Sequence, residues 1–382
     1  MSVGDGIVGF EEQVYVSKET AYGVFKAPVG TDAIRVISSG LTASQERVNR
    51  KDKRSSRSIS DRISRKKTAE FTLSMYILPS GTAGTPPDIT QALEAAFGTY
   101  TNNAGTSDVY TLNVDIDSSF TISRILSTDF SESFTGCIFD EIKMKFPGQE
   151  EASFEITGTA KEWIRTTGTT VDGATTTSLT FIVAADKHLE IGSVVKIGSN
   201  DNTGVGFEIT DYDADTLVCT IGATASFGDG DVIVPFFPSA TTAGQPLACF
   251  PGTISLGGVN MCVSDFEISI KNNLNPRLDC FGAESSSGYS ASSYREVTFS
   301  GTVYTSATNM NMPQATEDFE TMEIIVTAGD TAGHRAISSM PYAELDLVPY
   351  EVPEDGELTF TIKGVATAPA GHEEEELSLT FN

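Results

Sequence analysis

Three histidines, a single tryptophan and five cysteines give this 382-residue chain little of the material from which most active sites are built. His188, His334 and His372 stand far apart, and none falls in a spacing such as H-E-x-x-H that puts two imidazoles on one metal. Cys137, Cys219, Cys249, Cys262 and Cys280 are odd in number, are scattered, and include no C-x-x-C pair of the kind that clamps zinc or runs redox exchange. They read as buried thiols. Metal hydrolysis, histidine acid/base chemistry and thiol exchange therefore lack their reagents, and neither an enzyme nor a bound cofactor or metal is expected. Long apolar runs are missing too, since none approaches the roughly 20 residues needed to cross a bilayer as a helix. The N-terminus, Met1-Ser2-Val3-Gly4-Asp5-Gly6, has neither the positive region nor the apolar stretch of a secretory signal, which predicts synthesis in a cytoplasm.

Positive charge is also scarce: 25 Lys and Arg face 52 Asp and Glu, for a formal charge of −27. Sequence-specific nucleic-acid binding is disfavoured, because attraction to phosphate needs clustered cations. What positive charge there is, however, is concentrated. Arg47, Arg50, Lys51, Lys53, Arg54, Arg57, Arg62, Arg65, Lys66 and Lys67 fall in one short segment with only Asp52 and Asp61, so it carries +8 and the rest of the chain −35. A basic arm on an acidic body is complementary to another copy of itself, the electrostatic pattern of head-to-tail association. As a nucleic-acid arm it lacks interleaved aromatics for base stacking; Ile59 and Ile63 are its large apolar residues.

The remaining composition is that of short strands and many turns, with 34 Gly, 15 Pro and abundant Thr and Ser. The length suggests two or three structural units. A short strand at Val14-Tyr15-Val16 is followed by a Gly/Pro-rich stretch. A hairpin then runs from Leu41–Val48 to a return strand at Ala69–Ile77, whose alternation has the period of a half-buried sheet, with the basic segment as the connecting loop. Ile89 to Gly98 has helical apolar spacing, Asp88 placed to cap and a Gly stop. Strands are predicted near Phe120–Ile125, Asp140–Phe146 and Ala152–Ala160, the last two joined by a Pro147-Gly148 turn. Between about 170 and 238 the texture changes to five short strands, at Leu179–Val183, Val194–Ile197, Gly206–Thr210, Thr216–Ile221 and Asp231–Val234. A Thr-rich stretch precedes them and a Thr/Ala/Gly stretch follows, as for an inserted module. Beyond 250 the earlier plan returns: a strand at Asp265–Lys271, a Gly/Ser-rich loop to about Ser293, a return strand at Glu296–Tyr304, a second helix candidate at Glu317–Ile325, and strands near Ala343–Val348, Glu357–Gly364 and Glu376–Phe381. The order of elements, with the similar Phe154–Gly158, Val297–Gly301 and Phe360–Gly364 segments, predicts a duplication.

Asp211-x-Asp213-x-Asp215 could open a calcium loop, but Thr216 stands where the sharp-turn Gly belongs and Gly222 where the bidentate Glu belongs, so a solvated turn is expected. Glu373–Glu376 reads as a solvated edge ahead of a terminal strand. The serines of Ser285–Ser287 and Ser290–Ser293 have no neighbouring His to activate them.

The sequence resembles the major tail tube proteins of long-tailed (siphovirus-type) bacteriophages. The resemblance is carried by Glu19-Thr20-Ala21-Tyr22-Gly23, by the hairpin Leu41–Ile77 running into Leu78-Pro79-Ser80-Gly81, and by the helix ending Ala95-Ala96-Phe97-Gly98. In the second half it lies in Phe266–Leu274 and Arg295–Gly301. It implies a mainly β fold: a duplicated tail-tube-type β-sandwich or barrel with one short helix per half and an inserted small all-β module. The implied units are 1–168, with the N-terminal arm and basic loop, 169–240 as the insert on the tube exterior, and 241–382 as the second half. The implied function is a structural virion protein, made in the host cytoplasm, that self-assembles into stacked rings. Those rings are trimers with pseudo-six-fold symmetry, alternatively hexamers, meeting through the ten basic residues. Tape measure and tail terminator proteins are further partners, no membrane is involved, and double-stranded DNA passes through without sequence-specific binding. The alternative reading is a β-rich surface or glycan-binding module, for which exposed Tyr and Trp would be expected to cluster; the one Trp, Trp163, sits at a strand end near the insert.

Overall fold

The computed structural model describes residues 12–51, 58, 61–116, 118–127, 129–173, 176–184, 189–306, 309, 316–317, 321–347 and 357–382. The chain opens with β1 (Gln13–Lys18), a 3-10 turn at Gly30–Asp32 and β2 (Ala33–Ile34). β3 (Ser38–Asn49) and β4 (Arg62–Tyr76) form a long hairpin, followed by α1 (Thr90–Phe97) and the hairpin of β5 (Gly98–Asn103) and β6 (Ser107–Leu112). β7 (Phe120–Ser127), the 18-residue β8 (Phe130–Pro147), β9 (Ser153–Ala160) and β10 (Glu162–Thr167) complete the first half.

Next come β11 (Thr169–Asp172), β12 (Thr176–Val183), β13 (Val194–Ile197), β14 (Phe207–Asp213), β15 (Val218–Phe227) and β16 (Val232–Pro235). They close into a barrel in the order β11-β12-β15-β14-β13-β16. Its interior is a separate apolar cluster that includes Phe181, Val195, Phe207, Ile209, Cys219, Phe227 and Ile233. The Thr-rich stretch before the barrel supplies β11, because Thr169 and Thr170 pair with Ile233 and Val232 and close the ring. Closure gives each of these six strands a neighbour on both sides.

The second half contains β17 (Thr253–Leu256), β18 (Val259–Met261) and β19 (Val263–Lys271), then a small ribbon of β20 (Leu274–Pro276) and β21 (Tyr289–Ala291). It ends with β22 (Glu296–Tyr304), β23 (Thr321–Thr331), β24 (His334–Leu345), β25 (Thr359–Ala366) and β26 (Ser378–Phe381). Of the Glu317–Ile325 segment expected as a second helix, Glu317 is helical together with Thr316, whereas the chain from Thr321 onward is strand β23. Its Ile324 and Val326 are buried in sheet alternation, and pairing with Met340 and Ser338 of β24 overrides the helical spacing.

The pairings arrange one continuous antiparallel sheet, β3-β4-β9-β8-β19-β22-β25-β24, with its apolar face inward. Phe71, Leu73, Met75, Phe154, Ile156, Ile142, Met144, Phe146, Phe266, Ile268, Val297, Phe299 and Ile362 alternate onto this face and are buried in one core. Outer strands cover that core: β2-β1-β7 and β10 on the first part of β8, and β18-β17-β23-β24-β26-β6-β5 over the second half. The first-half hairpin β5–β6 thus extends a sheet of the second half. α1 fills the sandwich with Ala92, Leu93, Ala95, Ala96 and Phe97, and Gly98, at φ +100°, ends it. Asp88 does not cap the helix. Its carboxylate accepts from the Ala243 backbone at 2.8 and 3.1 Å and lies 3.6 Å from Arg35, pinning the segment that leaves the barrel.

The two halves repeat one plan. β19, β22, β25, β24 and β23 stand in the second half as β3, β4, β9, β8 and β7 stand in the first. Phe71 lies opposite Gly158, and Phe299 opposite Gly364. At both glycines an added Cβ would sit 2.0 Å from a carbonyl oxygen, of Ile138 and Glu344 respectively, and against the facing phenyl ring. Gly301, which the similar Val297–Gly301 wording set beside these two, lies instead on β22, the counterpart of β4, opposite Phe266. Gly158→Ala and Gly364→Ala should each lower stability by about 1–3 kcal/mol through overpacking. Gly222→Ala, where the nearest atom would be 3.6 Å away, should change it little. Urea denaturation of the three variants measures the difference.

Candidate assembly surfaces

The sheet that joins the halves has a second, polar face. Thr72, Ser74, Thr157, Ser269, Thr298, Ser300 and Thr361 alternate with the core residues, and the charges among them are Glu70, Glu141, Glu155, Asp265, Glu267, Glu296 and Glu344 against Lys143, Lys145, Lys271 and Lys363. Acids outnumber lysines, and several lysines are engaged. Lys145 Nζ is 2.7 Å from Glu155, Lys143 is 3.4 Å from Glu141, and Lys363 is 3.6 Å from Asp346. The shared hydrogen bond holds the Lys145 ammonium above its usual range and the Glu155 carboxyl below its own. Among the described residues of the paired strands, this face is a hydroxyl-rich, net acidic surface.

The sheet also has an open edge. Among the described residues β3 pairs only with β4, leaving one side of a 12-residue strand uncovered. Its counterpart β19 has β22 on one side and β8 of the other half on the other, from Lys271↔Glu141 to Asp265↔Pro147. A long uncovered edge is a template for another strand.

The two ends of the sheet differ in charge. The β3–β4 hairpin projects from one end, and the basic residues belong to it, though not all to a loop. β4 begins at Arg62, so Arg62, Arg65, Lys66 and Lys67 are on the strand and Arg47 is on β3. The basic segment was expected to be the connecting loop, but the four residues on β4 each reach a partner: Arg65 is 2.9 Å from Glu46, Arg62 donates to the Arg47 carbonyl at 3.1 Å, Lys66 donates to the Cys280 carbonyl and Lys67 lies 4.0 Å from Glu284. Lys51 is exposed, and Arg50 lies 3.9 Å from Asp61. Lys53, Arg54 and Arg57 lie outside the described residues. At the opposite end, where β8 turns into β9 and β19 begins, Glu150, Glu151 and Asp265 are exposed.

The features that sequence reading set aside are structural. Asp213 accepts from the Asp215 and Thr216 backbone and the Thr216 hydroxyl, which holds its carboxyl below the usual range and closes the β14–β15 turn. Glu376 pairs with Arg295 through both oxygens at 3.0 Å, and Glu374 accepts from Val114 N at 2.9 Å. Ser285 and Ser286 are buried against Glu162 and Tyr22, docking their loop on the first half. Glu19 was legible only as part of a motif. Its buried carboxylate accepts from Gly23 N, Ser119 Oγ, Thr121 Oγ1 and Gly136 N, at 2.6–2.9 Å, and ties the N-terminal arm to β7 and β8.

The phage tail tube protein family model matches residues 9–211, which is 203 of 382 positions. This chain belongs to the phage tail tube protein family. The match spans the first sandwich half and the barrel through most of β14. Among curated proteins, none matches the chain. Tail tube family membership makes the protein a structural component of the phage tail. No described helix is long and apolar enough to cross a membrane.

The cysteines of this tail tube family member divide by burial. Burial pushes the Cys137 thiol up, that of Cys219 to about 12 and that of Cys249 to about 11, whereas Cys262 and Cys280 are exposed. A thiolate-seeking reagent at pH 8 should therefore label Cys262 and Cys280 rapidly and the other three only after unfolding. Mass spectrometry of the labelled peptides distinguishes the two sets.

Proposed function

We propose that the protein assembles into rings that stack into the phage tail tube, the channel through which the genome is delivered. The observation that carries this reading is the β8–β19 seam. Within one chain, the first strand of a repeat is covered by the last strand of the other repeat, and β3 has the same place in its own repeat with its edge uncovered. The second half of another copy is the matching partner. Repeating the seam between chains closes a barrel, which removes every exposed edge. Each chain contributes two repeats, so three chains form a pseudo-six-fold ring and six chains a ring of twelve repeats. We favour three.

The three units are then two tube-type halves, 1–168 and 241–382, and the module at 169–240. The module leaves from β10, which pairs with the first part of β8 in the covering layer, and Gly168 N donates to Asp129 O beside it. That is the side away from the polar face, so the module lies on the tube exterior. The polar face lines the channel, where its net acidity repels DNA phosphates and lets double-stranded DNA pass without sticking. Tape measure and tail terminator proteins are the expected neighbours inside and at the end of such a tube. Trp163, the residue a glycan reading needs, packs against the core and lies under Lys67, 5.7 Å from its ring.

Rings meet through the basic hairpin and the acidic far end, which carry opposite charge on one chain. Reversing Arg50, Lys51, Lys53 and Arg54 to Glu should leave folded protein that makes rings but no tubes, and tubes of normal length would sink this contact. Symmetry-averaged electron micrographs should show three chains per ring; six would overturn the stoichiometry.

A further inference from the structure

Beyond charge, the two ends of the sheet carry an apolar knob and a socket of mixed, partly apolar lining. The knob is Phe281, fully exposed at the tip of the loop between β20 and β21, with Leu278 partly exposed beside it. Together they present an apolar tip to solvent, on a loop that is otherwise tied down. The Lys67 amide donates to the Glu284 carbonyl at 2.8 Å, Lys66 bonds the Cys280 carbonyl, and Ser285 bonds Glu162 at 2.7 Å. These contacts hold the tip beside the first residues of β4, at the end from which the basic hairpin projects. The loop is thus ordered around Phe281 without burying it.

The socket lies at the other end of the same strands. A cavity of about 270 Å³ is lined by the apolar Phe146, Ile254, Met261, Val263, Val326 and Ala328 and by the polar Thr253, Asn260 and Thr327, with Cys249, Phe250 and Cys262 also on its wall. Phe250 stands 83% exposed. β19 runs from this cavity at Val263 to Lys271, roughly 30 Å of strand. β4 then carries the sheet further, to the level of Lys66 and Lys67. Knob and socket therefore face opposite ways along the strand direction and cannot meet within one chain.

We propose that Phe281 of one copy seats in the Phe146–Met261–Val326 cavity of a copy in the next ring, making a directional stacking contact specific to this chain. A knob and a complementary pocket on opposite ends of one molecule form a heterologous contact, which propagates and does not close. The charges have the same polarity, with the basic hairpin on the knob side and Glu150, Glu151 and Asp265 on the socket side, so both interactions favour one orientation. Burying a phenyl ring at each repeat of the contact lowers the concentration at which rings stack. The proposal rests on the ring-and-tube reading but is separable from it.

The exposed thiols supply the reporter, because Cys280 adjoins Phe281 and Cys262 lines the socket. A short bismaleimide added to assembled wild-type protein should yield a ladder of covalent oligomers that disappears in both Cys262→Ser and Cys280→Ser. Phe281→Ala, truncated at an exposed position and checked for native circular dichroism, should still form rings by electron microscopy. Its threshold concentration for tubes should rise by roughly tenfold or more. Wild-type-like tubes from Phe281→Ala, or a ladder that survives both serine substitutions, would overturn the contact while leaving the tube reading intact. Wild-type protein that forms neither rings nor tubes would overturn both.

Discussion

The antiparallel pairing of β8 with β19 is the constraint on which the rest of the molecule depends. Backbone amides and carbonyls along a sheet edge must find partners, and here the two halves satisfy each other from Lys271↔Glu141 to Asp265↔Pro147. That single seam makes one sheet of two repeats, so that a single apolar face can be covered by a continuous core. It also fixes the relative position of the halves, which decides where the uncovered edge of β3 falls and which way the hairpin points.

β8 can serve both halves because it is long. Its first part pairs with β7 and β10 in the covering layer and its second with β9 and β19 in the inner sheet, with a register shift between Phe139 and Glu141 where it passes from one to the other. Gly136, at φ +62°, lies in the same stretch, with its amide held by the buried Glu19 carboxylate. The first part is further fixed by a buried ion cluster, in which Glu132 accepts from Arg124 and Arg165, both at 2.7 Å. Two arginines and their hydrogen bonds compensate the desolvation of this buried carboxylate. Arg165 stands three residues before Gly168, so the same cluster steadies the stem of the barrel.

The features of this protein that suit a structural tail component are its surfaces. The serines and acidic runs that could have served a catalytic or metal site are spent on turns and docking contacts. The polar face, the open edge and the unlike ends are all consequences of one sheet with alternating side chains. An assembly built this way needs a directional contact along the strands and a closing contact across them, and the chain presents candidates for both.

Strand alternation, the Gly stop of α1, the turn at Pro147-Gly148, the texture of the barrel and the repeat of plan were all legible in the sequence, because each is set by neighbours a few residues apart. The +8 segment on an acidic chain was legible as composition. What tertiary structure decided was set by distant partners. Arg62–Lys67 joined β4 because Glu46, Cys280 and Glu284 were brought within reach. Thr169 and Thr170 became strand because Ile233 and Val232 closed a barrel. Thr321–Ile325 became strand because β24 lay beside it, and Asp88 turned from the helix to Ala243. The β8–β19 seam, the open β3 edge and the placing of Phe281 and the Phe146–Val326 cavity at opposite ends of the sheet belong to the same class, since backbone pairing between residues far apart in the chain leaves no local trace in the residues themselves.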